Sequence, residues 1–234
     1  MKLTDLAQEL SSCTYPGRGI ILGRSEDNGS AVIAYFIMGR SENSRNRIFV
    51  PTADGIQTKA FDEGKMTDPS LIIYAPVRQY QDKTIVTNGD QTDTIYDVMQ
   101  AGRCYRHALL QRTFEPDSPN FTPRISGVVK PNGGFNLSIL KSDNGDKDNT
   151  LRYFYEYESC RAGQGRYIHT YLGDGSPLPS FDGEPTLVTI PGNLETFTRT
   201  VWDNLNSDNK VSLYTCFIDL QTGKHTSKIV NRNV

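Results

Sequence analysis

Four clusters of polar residues contain the side chains of this chain that could do chemistry. They are residues 15–19, 39–47, 84–93 and 115–124. Arg18 and Arg124 lie in the first and last clusters, and the second cluster holds three arginines in eight residues. A guanidinium group has the planar shape that binds phosphate or carboxylate oxygens, and the free N–H groups at the start of a helix also favour anions. The clusters therefore indicate a site for a small anionic ligand.

Each cluster also has an ordinary structural interpretation. Residues 39–47 can form a solvated loop, and Asn88 and Asp93 are residue types that build turns and helix caps. Glu115 and Asp117 can be exposed carboxylates or can cap a turn. Residue types within one cluster leave both interpretations open.

The segments between the clusters must position them, and their patterns predict mainly strands. The predicted strands are Gly19–Leu22, Ala31–Met38, Arg47–Pro51, Leu71–Val77, Lys83–Thr87, Arg124–Val129, Phe135–Leu140, Leu151–Tyr157, Arg166–Leu172, Val211–Asp219 and Thr226–Val230. The predicted helices are Leu3–Leu10, a helix that begins at Thr92 or Asp93 and ends at Gly102, Arg106–Phe114 and Leu194–Leu205. Runs of strands interrupted by a few helices are typical of an α+β domain with mostly antiparallel sheets. No break in composition suggests a linker, so we expect one domain over residues 1–234.

Composition narrows the function class. The formal net charge is −2 and the pI is about 5.9, which argues against nucleic-acid binding through phosphate neutralisation. No apolar run approaches the roughly 20 residues of a membrane span, and the N-terminus lacks a signal-peptide core, so we expect a cytoplasmic protein. The four cysteines form no C-x-x-C pair and the three histidines are scattered, which predicts free thiols and no metal site.

Taken together, the clusters resemble the archaeal-type IMP cyclohydrolase family. The resemblance is spread over most of residues 1–130 and becomes vaguer afterwards. The combination is specific, although no single motif is. The matching pieces are Tyr15 with Gly17-Arg18, Tyr35, the loop that ends at Asn46-Arg47, Tyr74, residues 84–89 with Thr92-Asp93, residues 114–117 and residues 122–125.

The resemblance implies a four-layer α/β/β/α sandwich of two mostly antiparallel sheets, similar to N-terminal-nucleophile hydrolases but without self-cleavage. It implies closure of 5-formamidoimidazole-4-carboxamide ribonucleotide to inosine monophosphate with loss of water, the last step of de novo purine biosynthesis. That reaction requires no metal and no cofactor. The implied partners are the purine-precursor ribonucleotide and its product, and a homo-oligomer is left open.

The resemblance also implies roles for individual residues. Arg47 and Tyr74 are expected at the formyl oxygen and leaving hydroxyl, although Tyr74 can equally be a core tyrosine. Glu115 or Asp117 is expected to remove a proton or orient the carboxamide. The expected substrate-binding residues are Tyr15, Gly17, Arg18, Asn46, Asn88, Gly89, Thr92, Asp93 and Arg124.

Two features depart from the family pattern. The arginine loop is longer than usual, so Arg40, Arg45 and Arg47 are all candidates for the catalytic arginine, and we favour Arg47. Asp90-Gln91 stands where the family often has Ser-His, so no imidazole is available at that turn. Residues 130–234 receive no assigned function.

Two other functions are compatible with the sequence. In an N-terminal-nucleophile amidohydrolase, Cys13 would become the nucleophile after removal of the first twelve residues, which requires a free terminal amine beside the thiol. A purine-nucleotide-binding protein would keep the pocket and lack turnover. The sequence does not separate binding from turnover.

Overall fold

The computed structural model describes residues 2–66 and 72–233, which form two antiparallel β-sheets and five α-helices. The helices are α1 (Leu6–Ser12), α2 (Glu42–Arg45), α3 (Gln91–Gln100), α4 (Tyr105–Leu110) and α5 (Leu194–Asn204), with a 3-10 turn at Glu63–Lys65. The strands are β1 (Arg18–Arg24), β2 (Ser30–Met38), β3 (Arg47–Pro51), β4 (Gly55–Ala60), β5 (Val77–Tyr80), β6 (Lys83–Thr87), β7 (Arg124–Val129), β8 (Phe135–Asp143), β9 (Asp146–Tyr157), β10 (Gln164–His169), β11 (Thr186–Thr189), β12 (Lys210–Asp219) and β13 (His225–Asn231).

The first sheet has six strands in the order β11-β10-β1-β2-β12-β13, and the second has seven in the order β3-β4-β5-β6-β7-β8-β9. In the first sheet β2 is central and is buried at every position after Ser30, because both of its faces are covered. Its sequence is therefore a continuous apolar run rather than an alternating one. The β1–β2 hairpin turns at Asn28, whose φ of 61° is the left-handed conformation that asparagine tolerates.

Side-chain packing places the sheets face to face with helices outside. Ile20 and Leu22 of β1 pack against Ile125 of β7 and Leu137 of β8 between the sheets. Ile21, on the opposite face of β1, belongs to a second cluster. That cluster contains Leu6 and Leu10 of α1 with Phe197 and Val201 of α5, and a third joins Ile95 of α3 and Leu109 of α4 to the outer face of the second sheet. The predicted α+β class with two antiparallel sheets is confirmed, while the likeness to N-terminal-nucleophile hydrolases stays a prediction.

Most predicted elements are present, and three strands, Arg47–Pro51, Lys83–Thr87 and Arg124–Val129, have the predicted bounds. The prediction of a strand over Leu71–Val77 was wrong for residues 72–76, and Leu71 lies outside the described residues. Pro76 cannot donate to a strand ladder, and β5 starts directly after it. Tyr74 instead exchanges hydrogen bonds with Thr58 of β4.

Other differences have local causes. The predicted helix Arg106–Phe114 ends at Leu110, where the N–H groups of Gln111 and Arg112 bond to the carbonyls of Ala108 and Leu109 and tighten the last turn. The predicted strand Arg166–Leu172 ends at His169 because the Thr170 N–H turns to the carbonyls of Pro16 and Arg18. The sequence prediction missed α2, β4 and β11, which are short or strongly polar. Over the described residues, no helix is long and apolar enough to cross a membrane.

Candidate functional site

The candidate site lies where the ends of several strands from both sheets meet. β1 and β3 begin there with Arg18 and Arg47, and β2 ends there with Met38. The Arg47 guanidinium spans the gap between the sheets, because it donates to the carbonyls of Ser44 at 2.8 Å and Met38 at 3.4 Å. Antiparallel pairing thus brings residues that are distant in sequence to one end of the sandwich.

A pair of tyrosines lies between the sheets at this end. The hydroxyl oxygens of Tyr35, on β2, and Tyr74, before β5, are 2.8 Å apart, and both side chains are buried. Burial and the neighbouring Tyr74 raise the pKa of Tyr35 well above its ordinary value, although Arg18 and Arg47 oppose the shift. Tyr35 therefore stays protonated at neutral pH and can donate a hydrogen bond.

Glu115 is the buried carboxyl group of the site. It is only 3% exposed, and burial raises its pKa to about 7 despite the opposing charges of Arg18, Arg124 and Arg47. Its backbone N–H donates to the Thr122 carbonyl at 2.9 Å, which fixes the loop before β7. A carboxyl group with this pKa exchanges protons readily near neutral pH, as a general acid or base must.

Three arginines surround this carboxyl group, and each has an unsatisfied nitrogen. Within the described part of the chain, Arg18 Nε, Arg47 Nη1 and Arg124 Nε are buried and have no hydrogen-bond partner. Burial and the charge of Arg18 lower the pKa of Arg47. For Arg18 the effect of burial is outweighed by Glu115 and nearby tyrosines, so its pKa is raised. Buried donors are rarely left unpaired, so the cluster is suited to an anionic or carbonyl-bearing ligand.

Arg124 is held by the turn between β6 and α3. Its Nη1 donates to Asp90 Oδ1 and Gln91 Oε1, each at 2.7 Å, and Asp90 also binds Arg112. These ion pairs lower the pKa of Asp90 although burial opposes them. At Gly89 a Cβ atom would lie 2.6 Å from Arg124 Nη1, so a larger residue here would displace the guanidinium from its present position.

Tyr15 and Gly17 form the side of the site next to β10. The Tyr15 and Tyr171 rings are stacked with centroids 6.1 Å apart, and the Tyr171 hydroxyl is hydrogen-bonded to that of Thr122. Gly17 has a φ of +74°, and a Cβ atom there would lie 2.3 Å from Thr170 Oγ1. Glycine at this position thus lets the chain pass close to β10 and direct Arg18 inward.

Arg47 differs from the other two arginines of its loop. Arg40 is partly exposed, pairs with Asp174 and lies over the Tyr15 ring at 5.1 Å. Arg45 donates to the Gly39 carbonyl and to Asn209 Oδ1. Of the three, Arg47 is the one whose guanidinium is fully buried beside Tyr35 and Tyr74.

Several predicted site residues have their polar atoms occupied inside the protein. Asn46 exchanges two hydrogen bonds with the Asp62 backbone, and Thr92 bonds to Thr87 and the Gly89 carbonyl. Asp117 accepts from the N–H and hydroxyl of Thr122. These geometries are those of turn and cap residues.

The contacts of Asn88 and Asp93 also favour a structural role over ligand binding. Asn88 is 1% exposed, and its amide bonds to the Pro123 carbonyl, the Ile125 N–H and Gln91. Asp93 is half exposed and pairs with Arg78 at 2.8 Å. Asn88 thus joins the turn after β6 to the start of β7, which supports Arg124 from behind.

We expect Asn88→Ala to lower the free energy of unfolding by roughly 2 to 5 kcal/mol, because it leaves a buried N–H and a buried carbonyl without partners. Asp93→Ala is the matched control on the same turn, and its exposed ion pair should contribute only about 0 to 1 kcal/mol. Urea unfolding of the two variants measures the difference. Equal losses would show that the Asn88 hydrogen bonds do not hold the turn.

The sequence assigns no site role to Tyr171, Gln91 or Asp90, although each of them contacts a site residue in the structure. Tyr35 is one of the residues that carry the family resemblance, but the sequence assigns it no role. Its contact with Tyr74 spans 39 residues of sequence. Nothing in local spacing signals such a contact.

Cys13 lies at the end of α1, and burial raises the pKa of its thiol above the ordinary value. Its Sγ donates to the Leu172 carbonyl at 3.5 Å. A raised pKa reduces the thiolate population that a nucleophile needs. All four cysteines are free.

Comparison with known proteins finds relatives that carry the same name. The chain is 28% identical to the IMP cyclohydrolase of Methanococcus aeolicus over 156 residues, which is 63% of this chain and 76% of that protein. It is 29% identical to the IMP cyclohydrolase of a Methanococcus maripaludis strain over 164 residues, covering 66% and 80% of the two chains. It is 34% identical to the IMP cyclohydrolase of Methanopyrus kandleri over 119 residues, covering 49% and 58%.

The family described as IMP cyclohydrolase-like proteins matches residues 15–224, a range that includes every strand end of the site. Tyr15, Arg18, Arg47, Tyr74, Glu115 and Arg124 all lie inside it. With nearly the whole chain matched, this protein belongs to the IMP cyclohydrolase-like family.

Proposed function

We propose that this protein is an IMP cyclohydrolase that closes 5-formamidoimidazole-4-carboxamide ribonucleotide to inosine monophosphate with loss of water. The family match and the names of its relatives support the activity. The observation that carries the proposal is the cluster of three buried arginine nitrogens without partners around Glu115 and the Tyr35–Tyr74 pair. A nucleotide with a phosphate, a carboxamide and a formyl oxygen offers acceptors to such donors.

The reaction defines what the site must supply. The carboxamide nitrogen attacks the formyl carbon and loses one proton, while the formyl oxygen takes up negative charge and is then protonated to a hydroxyl group. That hydroxyl group takes up a second proton and leaves as water, as the formamido nitrogen loses its hydrogen and the new C=N bond forms. An amide is a poor nucleophile, so holding it against the carbon removes a large part of the barrier. A donor at the developing oxyanion contributes about 100- to 1000-fold in rate.

Arg47 and Tyr74 are assigned to the formyl oxygen and the departing hydroxyl. Arg47 Nη1 has no hydrogen-bond partner among residues 2–66 and 72–233, so it can donate to a ligand without losing an existing bond. A single hydrogen bond joins the Tyr35 and Tyr74 hydroxyl groups, so the pair has a second O–H group that can donate as well. Both observations support this assignment. Arg40 and Arg45 already have other partners at the edge of the loop. We therefore assign the catalytic arginine role to Arg47.

Glu115 is assigned the proton transfer. Its pKa of about 7 means that it is partly ionised at neutral pH and can accept a proton from the carboxamide nitrogen. Asp117, the other carboxylate proposed from the sequence, is engaged by Thr122, which favours a turn-stabilising role for it. Proton removal therefore falls to Glu115.

Arg18 and Arg124 are assigned to the phosphate or ribose. Arg124 forms an ion pair with Asp90 at 2.7 Å, whereas Arg18 forms no ion pair among residues 2–66 and 72–233, so Arg18 is assigned as the stronger phosphate ligand of the two. Tyr15, Gly17 and Gly89 shape the same end of the site. The internal hydrogen bonds of Asn46, Asn88 and Thr92 and the ion pair of Asp93 support structural roles for these four residues.

We expect purified protein to convert the formamido ribonucleotide to inosine monophosphate without added metal, and a chelator should leave the rate unchanged. The assigned steps use only arginine, tyrosine and glutamate side chains. The absorbance change on ring closure measures the rate with and without chelator. Activity that disappears with chelator and returns with a divalent ion would overturn this part of the proposal.

The same assay tests the two other functions. A nucleotide-binding protein without turnover would bind the product and give no absorbance change. An amidohydrolase would depend on Cys13, whereas Cys13→Ser should leave ring closure intact, because that thiol is held at a helix end with a raised pKa. A cytoplasmic location, a single domain over residues 1–234 and a homo-oligomer stay predictions.

A further inference from the structure

A cavity of about 680 Å³ lies on the outer face of the seven-stranded sheet, and none of its lining residues belongs to the candidate site. Val128, Asn136 and Glu156, which are neighbours across β7, β8 and β9, form its floor. The end of α3 and the beginning of α4 form one wall, and the β5–β6 hairpin with Tyr80 forms another. Cavities of about 300 to 1000 Å³ are the size that binds small molecules in proteins.

Two buried polar groups of this cavity lack hydrogen-bond partners. Tyr105 is 8% exposed and Asn136 is 4% exposed. Among residues 2–66 and 72–233, neither the Tyr105 hydroxyl nor Asn136 Oδ1 has a partner in good hydrogen-bond geometry, although the side chains of Arg106 and Asn136 lie next to the Tyr105 hydroxyl. Leaving such groups unpaired costs about 1 to 3 kcal/mol each, so native proteins usually satisfy them. A ligand with an N–H or O–H group can pair with Asn136, and the tyrosine hydroxyl can donate or accept.

The rim of the cavity is basic. Lys83, Arg103, Arg106 and Lys130 line it, and Glu156 is the one acidic residue in the lining. Arg106 pairs with Glu156 at 3.3 Å, and both are half exposed. Lys83 pairs with Asp82 at 2.8 Å, so Arg103 and Lys130 supply the remaining positive charge, which attracts an anion to the cavity mouth.

We propose that this cavity is a second ligand site for a small anionic molecule with an N–H donor, of the chemistry of a nucleoside 5′-phosphate. The phosphate would meet the lysines and arginines of the rim. The planar base would lie against Tyr80 and donate to Asn136 Oδ1, because an aromatic wall favours a flat ring. The site stands on its own geometry and does not depend on the proposed function.

Cys104 provides a direct readout, since it is exposed and lines the cavity. We expect inosine or adenosine 5′-monophosphate to slow the alkylation of Cys104 by iodoacetamide. Peptide mass spectrometry measures the rate of this alkylation. At ten times the dissociation constant the rate should fall about tenfold, in proportion to the unliganded fraction. Inorganic phosphate should protect much less, because it cannot reach both the rim and Asn136.

Three variants separate this site from the candidate site between the sheets. Protection should persist in Arg18→Ala, which removes the assigned phosphate ligand of the other site. Asn136→Leu and Tyr105→Phe should each weaken protection about five- to tenfold, the equivalent of one hydrogen bond, and should leave ring closure unchanged.

Each contrary outcome overturns the proposal. No protection by either nucleotide at millimolar concentration would exclude the site. Loss of protection in Arg18→Ala would assign it to the other site. Equal protection by inorganic phosphate, or full protection in both Asn136→Leu and Tyr105→Phe, would reduce the cavity to a nonspecific basic surface. If a nucleotide protects Cys104 but the protein shows no ring closure, the proposed function is wrong and the proposal of this second site is supported.

Discussion

We expect Glu115→Gln to lower kcat for ring closure about 100- to 10,000-fold, the usual contribution of a positioned general acid or base. The amide has nearly the same shape but cannot accept the carboxamide proton. Substrate affinity should change less than kcat, because proton removal occurs in the transition state. Steady-state kinetics by the absorbance change on ring closure measures both parameters.

The pH dependence gives this prediction its sharper test. Glu115 must be ionised to act as a base, so kcat/KM should rise with pH through its pKa of about 7 and level off above it. Glu115→Gln should lack this rising limb. A variant that keeps the limb would assign it to another group, and a falling limb at the same pH would make Glu115 an acid.

Stability measurements test whether Glu115→Gln loses activity simply because it unfolds. Burial raises the pKa of Glu115 in the folded state above its pKa in the unfolded chain. The free energy of unfolding therefore falls as the pH rises from the pKa of the unfolded chain through about 7. The neutral amide resembles the protonated form, so Glu115→Gln should unfold at no lower a temperature than the wild type at pH 8. Asp117→Asn is the control: its turn with Thr122 can re-form through the amide, and kcat should be nearly unchanged.

The sequence predicted the framework of this site better than its interior. Lys83–Thr87 and Arg124–Val129 are β-branched runs bounded by Gly89 and Pro123, so local pattern sufficed to define them. In contrast, the Leu71–Val77 run is apolar but contains Pro76, and the backbone of Ile72 and Tyr74 hydrogen-bonds with Thr58 instead of joining a ladder. Local apolarity therefore identified a buried segment there and gave it the wrong conformation.

The interior of the site depends on which partner each side chain meets. Asn88 and Glu115 are both polar residues near strand ends, yet the first has its amide fully occupied and the second lies among three arginines. Their spacing in the sequence gives no sign of this difference. It arises when the two sheets pack and bring β1, β3 and the loop before β7 together.

Tyr74→Phe should lower kcat roughly 100-fold with little change in substrate affinity, if its hydroxyl donates mainly in the transition state. The substitution keeps the ring and the backbone hydrogen bonds with Thr58, so the segment before β5 should retain its position. It removes the partner of the Tyr35 hydroxyl, which lies 2.8 Å away. Tyr35→Phe is therefore the matched control, because it breaks the same hydrogen bond and leaves the Tyr74 hydroxyl in place.

Arg18→Ala should fail in a different way. If its guanidinium holds the phosphate equally in the ground and transition states, KM should rise while kcat stays nearly unchanged, since uniform binding does not accelerate the chemical step. The comparison of kcat and KM between Arg18→Ala and Tyr74→Phe separates binding from chemistry on one substrate. The raised pKa of Arg18 keeps it charged throughout the working range, and this charge also holds the pKa of Glu115 down. Arg18→Ala should therefore move the ionisation of Glu115 to higher pH, so kcat and KM are compared on the plateau above that ionisation.

The combination of results from these variants identifies the residue that stabilises the developing oxyanion. A loss of kcat in Tyr74→Phe but not in Tyr35→Phe assigns the donor to Tyr74, whereas equal losses make the hydrogen-bonded pair the functional unit. If Tyr74→Phe and Arg18→Ala both lose only affinity, Tyr74 is a binding or packing residue, and the oxyanion must be stabilised by Arg47, whose buried Nη1 has no other partner within residues 2–66 and 72–233. Full activity in both variants would mean that ring closure does not occur at this end of the sandwich.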